Sequence, residues 1–111
     1  MATNYLVLGQ SAPSASTNTT LYTVPSSTQA VVSTVFVCNR NTAAPAKFRI
    51  AVRPDGASIA NQHYLFYDND VDAGATVGIT TGITLGDTDV LTVWADSASL
   101  SFAAFGSEVT A

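Results

Sequence analysis

Short β-branched segments alternate with turn residues along almost the whole chain, and this pattern restricts the possible folds more than any other feature. Val, Ile and Thr dominate the segments, and clusters of Pro, Gly, Asp, Asn or Ser separate them about every ten residues. No long window shows apolar residues at the helical spacing. The sequence therefore predicts an all-β protein, an antiparallel β-sandwich or jelly roll of about eight short strands with an extended N-terminal arm.

Two segments show the strand pattern most clearly. Residues 29–39 are mostly apolar on both faces, which predicts a central strand covered on both sides. Residues 47–53 alternate apolar and basic side chains, which predicts a half-buried strand. Further strands are predicted at residues 20–24, 62–67, 75–85 (one strand or two, broken at Gly78 or Gly82), 90–95 and 100–105, with an acidic turn at 68–74. Residues 106–111 either extend the last strand or form a tail.

The length of 111 residues corresponds to one domain with its own core. Residues 1–19 are rich in Ser, Thr and Ala and are interpreted as an N-terminal arm, and residues 20–111 as the β-sandwich domain. The single cysteine excludes a disulfide framework. The N-terminus has no basic n-region, so we expect synthesis in the cytoplasm without a cleaved signal peptide.

Charged residues are few and unevenly distributed. They make up 11% of the chain, against roughly 25% in an average globular protein. Residues 1–39 carry none, and a net charge of −4 with no long apolar run predicts neither nucleic acid nor membrane partners. The uncharged third predicts a surface that meets another subunit, with a Ser/Thr-rich surface that needs no charge as the alternative. The candidate assembly interface comprises Tyr5, Leu6, Val7, Leu8, Arg40, Lys47, Arg49 and Arg53.

Three aspartates at alternate positions, Asp68, Asp70 and Asp72, match the start of a calcium-binding loop. The match then ends, because Ala73 replaces the required glycine and Ile79 stands where a bidentate Glu would bind. An acidic hairpin turn is the favoured interpretation, and a cation site is the alternative. Another pair, Asp87 and Asp89, flanks a tight turn and is interpreted as forming Asx turns.

The sequence offers no catalytic constellation. His63 is the only histidine and is expected on a strand face near Tyr64 and Tyr67, without a nucleophile motif. Cys38 lies within the apolar segment 29–39, so its thiol is expected to be an inert part of the core. We therefore predict a protein that is not an enzyme and needs no cofactor or metal.

Four aromatic residues, Tyr64, Phe66, Tyr67 and Trp94, allow two interpretations. Exposed together, they would form a platform for a sugar. Packed inward, they would fill the core, which is the more common use of large aromatic side chains. Phe48, Trp94 and Phe102 are predicted to lie mostly in the core.

Several short motifs occur in a familiar order. The run Leu21-Tyr22-Thr23-Val24-Pro25 leads into the apolar segment 30–39, and Gly86-Asp87 precedes the segment 90–95. The chain closes on Phe-Ala-Ala-Phe-Gly-Ser-Glu-Val-Thr at residues 102–110. This order, over about residues 8–110, resembles a group of small tailed-phage virion proteins. The additional Asp89 departs from the pattern of that group at the turn.

The resemblance implies a small β-sandwich that is built into a phage particle and carries no catalytic residues. A capsid decoration (cement) protein that binds across joints between major capsid subunits is the first expectation. A tail, baseplate or fibre-base component is the alternative, followed by a carbohydrate- or receptor-binding module. The expected partners are further copies of the chain, as a trimer, and the major capsid protein or another virion protein. The segment before Thr20 is expected to make the attachment by strand pairing.

Overall fold

A computed structural model describes residues 2–110, which form eight strands and two short 3₁₀ turns. The strands are β1 (Ala2–Ser11), β2 (Thr19–Thr23), β3 (Thr28–Asn39), β4 (Ala46–Arg53), β5 (Tyr64–Val71), β6 (Thr76–Leu85), β7 (Val90–Ala95) and β8 (Leu100–Thr110). The 3₁₀ turns at Pro54–Gly56 and Asn61–His63 lie between β4 and β5. The predicted all-β fold is confirmed.

The strands form two four-stranded sheets. The first sheet has the order β1-β8-β3-β6, and the second has the order β2-β7-β4-β5. Every strand pair is antiparallel. Each sheet buries one face against the other, which is the arrangement of an antiparallel β-sandwich.

The core lies between the two sheets and is filled by alternate residues of the strands. Phe48, Ile50 and Leu91 of the second sheet and Leu100 and Phe102 of the first are among its largest fully buried side chains. The rings of Phe48 and Phe102 meet edge to face, with centroids 6.3 Å apart. Each such side chain contributes about 1.5–3 kcal/mol through burial. The core positions predicted for Phe48 and Phe102 are confirmed.

Strand β3 is central in the first sheet, as predicted, but only one of its faces is buried. Val35 and Val37 are fully buried, whereas Val31 and Phe36 on the opposite face are 39% and 43% exposed. The prediction of burial on both faces is therefore wrong. The reason is that a sandwich has two layers, so the outer face of each sheet has no layer over it in a single copy.

The N-terminal arm predicted for residues 1–19 differs from the structure over much of its length. Residues 2–11 form β1, an edge strand of the first sheet that pairs with β8 along its length. Strand β8 continues to Thr110 because residues beyond Phe105 pair with both β1 and β3, so the tail interpretation is wrong for residues 106–110. Residues 1 and 111 lie outside the described part of the chain.

The acidic segment forms a strand over most of its length, where a turn was predicted. Residues 68–71 belong to β5, which is bulged between its pairs with Phe48 and Ile50, and Asp68 there adopts a φ of 53°. The turn that follows is short and contains Gly74, whose φ is 66°. The next strand, β6, is continuous, with a bulge that includes Gly82 at a φ of 67°.

Candidate assembly interface

The outer face of the first sheet is identified by the strand register, because residues directly opposite each other point to the same side of a sheet. Phe36 lies opposite Ala103, and Val31 lies opposite Ser107. Tyr5 also lies opposite Ser107, and Val7 lies opposite Phe105. This face, called the first outer face below, comprises Thr3, Tyr5, Val7, Gln10, Gln29, Val31, Ser33, Thr34, Phe36, Cys38, Thr76, Gly78, Thr80, Thr84, Ser101, Ala103, Phe105, Ser107 and Val109.

The strand residues of the first outer face are all uncharged, and Arg40, just beyond β3, lies at its margin, where Nε donates a hydrogen bond to Ser101 Oγ. Glu108 is the only charged residue in the four strands of this sheet, and its side chain turns inward to the hydroxyl of Tyr22 on β2. Large apolar side chains on the face are well exposed, with Tyr5 at 85% and Val7 at 48%. Exposed large apolar side chains among neutral polar residues, with charge depleted, are characteristic of the central part of a protein–protein interface.

Two aromatic rings form a ridge across the middle of this face. Phe36 and Phe105 meet edge to face with ring centroids 5.8 Å apart. Phe36 lies over Gly78 on β6, where an added Cβ would come within 3.0 Å of its ring. A hollow of about 570 Å³ lies on one side of the ridge, lined by residues that include Tyr5, Val7 and Phe105. A second hollow of about 420 Å³, lined in part by Phe36 and Cys38, lies on the other side.

The outer face of the second sheet has the opposite chemistry, because its charges pair within the chain. The Nζ atom of Lys47 lies 2.7 Å from Asp70, and the Nε atom of Arg49 lies 2.7 Å from Asp68. The hydrogen bond to Asp70 raises the pKa of Lys47. The hydrogen bond to Asp68 likewise raises the pKa of Arg49, so both side chains stay positively charged.

Arg49 is also held between two aromatic rings. Its guanidinium carbon lies 4.1 Å from the ring centroid of Tyr67 and 3.8 Å from that of Trp94. These cation–π contacts and the ion pair to Asp68 fix the side chain on the surface of the sheet. Trp94 is therefore an outer-face residue, and its predicted core position is wrong.

The predicted aromatic group is only partly assembled. Tyr64 and Tyr67 meet edge to face at 4.9 Å, near Arg49, whereas Phe66 points inward with its centroid 6.2 Å from that of Phe48. The guanidinium of Arg49 occupies a face of both the Tyr67 and the Trp94 ring. A sugar that stacked on those faces would have to displace Arg49, so the pair does not form an open platform.

The structure distributes the sequence-predicted interface residues over several surfaces. Tyr5 and Val7 lie on the first outer face, while Leu6 and Leu8 of the same strand point to the core side, where Leu8 packs against the core. Beyond β3, Arg40 donates hydrogen bonds to Ser101 Oγ at 2.8 Å and Ala98 O at 2.6 Å. Lys47, Arg49 and Arg53 belong to the second sheet, where Arg53 Nε donates to Thr92 Oγ1 at 3.0 Å.

Val31, Phe36 and Phe105 are interface candidates that the sequence interpretation missed: it predicted burial for the strand that contains Val31 and Phe36, and it assigned no role to Phe105. The apolar character of residues 29–39 on both faces was the signal that could have identified two of them. An apolar outer face and a buried face produce the same residue pattern. Only the number of layers in the fold distinguishes them.

The residues considered for catalysis or metal binding do not come together. Cys38 is half-buried on the first outer face and is not part of the core. His63 ends a 3₁₀ turn before β5 of the other sheet, where its Nδ1 accepts a hydrogen bond from the N–H of Ala60 at 3.0 Å. Its predicted position on a strand face is therefore wrong. Within residues 2–110, no group of three or more His, Cys, Asp or Glu side chains is placed to hold a metal ion.

Comparison with known proteins gives a limited result. No protein-family model matches the chain, and no curated protein matches it. One similar solved structure is described as a pentameric capsid protein isolated from metagenomic phage sequences, with 20% identity, a TM-score of 0.42, and coverage of 97% of this chain and 61% of that one. A second structure of the same description has 17% identity, a TM-score of 0.34, and coverage of 97% and 62%. The chain thus spans about three-fifths of the length of these structures, and similarity at this level does not specify function.

No helix within residues 2–110 is long and apolar enough to cross a membrane.

Proposed function

We propose that this protein is a non-enzymatic structural protein of a tailed-phage virion, and that it is a capsid decoration protein which binds major capsid subunits through the first outer face. The observation that carries the proposal is the group of exposed large apolar side chains on the uncharged strands of that face, with Tyr5 85% exposed and Phe36 43% exposed. The sequence resemblance to small tailed-phage virion proteins is the reason for proposing that the particle is a tailed-phage virion.

The strand order further supports a jelly roll, the sandwich type proposed for this protein. Strand β1 pairs with β8, β2 with β7, β3 with β6, and β4 with β5. This is the pairing obtained when one long antiparallel ribbon of four strand pairs is rolled into two sheets. In this arrangement the outer face of the first sheet is not covered by another part of the described chain, so it is available to a partner.

The contrast between the two outer faces gives the proposed orientation on the shell. Binding across a joint requires apolar area that is withdrawn from water, and interfaces of standard size bury about 800 Å² on each partner. The strands of the first outer face provide apolar side chains without a charge that would have to be desolvated, and Arg40 lies only at the margin. The second sheet, with the exposed ion pair Lys47–Asp70, would face the solvent.

Purified particles of the phage that encodes the chain test the location. A decoration protein should be present in a constant ratio to the major capsid protein and should appear at equivalent positions over the shell in electron cryomicroscopy. A few copies confined to the tail would contradict the decoration role and support the tail or baseplate alternative. Absence from the particle would overturn the virion proposal altogether.

A pair of matched variants tests the surface. Phe36→Lys places a charge at the centre of the first outer face, whereas Leu65→Lys places one at a side chain of β5 that is 49% exposed. Particles assembled without the protein should take up the wild type and Leu65→Lys, but not a folded Phe36→Lys. Equal uptake of both variants would show that the first outer face is not the attachment surface.

A further inference from the structure

The free edge of β1 has a feature that the proposed function does not use. Strand β1 is the last strand on one side of the first sheet and pairs only with β8. Its residues 2–7 are all exposed and uncharged, and they precede the bulge between Val7 and Gly9. At alternate positions over these six residues, which are in uninterrupted register with β8, the edge therefore presents unpaired main-chain N–H and C=O groups.

The other three sheet edges carry features that hinder pairing with another strand. Strand β2 has only five residues and ends before Pro25. Strand β5 is bulged twice and carries Asp68 and Asp70. Strand β6 is bulged at Gly82, which shortens its regular stretch to residues 76–80. Short strands, charges, prolines and bulges are the means by which proteins keep their edges from pairing with further copies of themselves.

We propose that the edge of β1 pairs with the same edge of a second copy of this chain, antiparallel, so that two first sheets form one continuous sheet. A second copy is the fitting occupant because edge protection acts against self-pairing. Residues 2–7 form the longest uncharged stretch without a bulge among the four edges. Two identical uncharged edges also meet without repulsion. Antiparallel pairing of a strand with itself is satisfied by a two-fold axis, the commonest symmetry of homo-oligomers.

The pairing would join the first outer faces of two copies into one surface. Residues such as Tyr5 and Val7 lie on that face and on the edge strand, so the junction would be continuous with the apolar surface on either side. The proposed unit is a dimer, which differs from the trimer expected from the sequence. The inference goes beyond the proposed function and is tested on purified protein, so its failure leaves the particle experiments unaffected.

Sedimentation of the purified full-length protein tests the dimer. The wild type should sediment as a dimer, and Tyr5→Lys should raise the dissociation constant about tenfold or more, because lysine on an edge opposes strand pairing. Leu65→Lys, on an edge strand of the second sheet, should leave the constant unchanged. Val31→Lys should also leave it unchanged, because Val31 is on the first outer face but on a central strand. A wild-type monomer or trimer, or a dimer lost in Val31→Lys and retained in Tyr5→Lys, would overturn the proposal.

Disulfide cross-linking tests the pairing directly and does not depend on the stability of charged variants. In a Cys38→Ser background, single cysteines are placed in turn at residues 3–7. The cysteine nearest the two-fold axis should cross-link to its copy under mild oxidation, with cross-linking falling at positions away from it, because a disulfide requires Cβ atoms about 4 Å apart. Val31→Cys and Leu65→Cys in the same background serve as controls. Cross-linking at Val31→Cys with none at residues 3–7 would refute edge pairing.

Discussion

The phenol hydroxyl of Tyr22 on β2 donates a hydrogen bond to the carboxylate of Glu108 on β8, so a polar contact joins the two sheets beside the core. Tyr22 is only 8% exposed. Burial and the hydrogen bond to Glu108 raise the pKa of Tyr22 above the ordinary value of 10.0. The contact accounts for the one charged residue in the strands of a sheet that is otherwise uncharged.

The pH dependence of stability should report this contact. The folded protein retains the Tyr22 proton at a pH where the unfolded chain has released it, so the stabilisation is complete below pH 10.0 and declines as the pH rises above that value. Urea unfolding at pH 8 to 11 should show a decline above about pH 10 that is weaker in Tyr22→Phe. At pH 8, Tyr22→Phe should lower the free energy of unfolding by about 1–3 kcal/mol. Tyr67→Phe, at a side chain that is 55% exposed, is the control, and an equal decline in the wild type and Tyr22→Phe would contradict the prediction.

Arg49 should contribute more to stability than its neighbour Lys47, although both form ion pairs at 2.7 Å. The side chain of Arg49 is 21% exposed and contacts two rings, whereas that of Lys47 is 49% exposed. We expect Arg49→Met to cost about 1–2 kcal/mol, from the cation–π contacts and the ion pair together. Urea unfolding followed by the fluorescence of Trp94, the only tryptophan, measures the change next to the site. An equally small effect in Arg49→Met and Lys47→Met would count against this assignment.

Gly106 should tolerate no side chain. An added Cβ would overlap the carbonyl oxygen of Val31, which belongs to the neighbouring strand. Residue 106 and Val31 both lie in paired strands, so neither main chain can move easily to relieve the overlap. Gly106→Ala should therefore cost about 1–3 kcal/mol or more in the free energy of unfolding. Gly86→Ala is the matched control, since its nearest atom beyond the chain neighbours is Asp89 Oδ2 at 3.7 Å. A melting temperature of Gly106→Ala equal to that of Gly86→Ala would disprove the steric explanation.

Asn39 organises the loops at one end of the sandwich from a position that is 1% exposed. Its Nδ2 donates to Ala44 O at 3.0 Å and Val71 O at 3.2 Å, and its Oδ1 accepts from Asn41 N at 3.0 Å. Asn39→Asp would turn a carboxylate oxygen toward carbonyl oxygens, with an expected cost of about 3 kcal/mol. Asn61→Asp, at an exposed position, should change stability little. Chemical denaturation at neutral pH measures both, and similar midpoints would contradict the role of the amide.

The local pattern was sufficient to predict the strands and the fold class. Alternation in residues 47–53 correctly placed Phe48 and Ile50 in the core, because a strand directs successive side chains to opposite faces. In the acidic segment, the local sequence pattern was not sufficient to predict the secondary structure. Asp68 and Asp70 were interpreted as turn residues, yet they pair with Arg49 and Lys47 across the strand register. A turn and a bulged strand rich in aspartate have similar composition, and the partners that distinguish them are distant in sequence.

The sequence by itself determined that the chain forms short antiparallel strands and that its first 39 residues carry no charge. Only the tertiary structure decided that Phe36 faces outward while Val37 is buried, and that residues 2–11 pair with β8. The physical reason is that apolar character reports the tendency of a side chain to leave water, whereas its burial depends on which layer covers it. That layer is set by strand order and register, which join residues far apart in the chain.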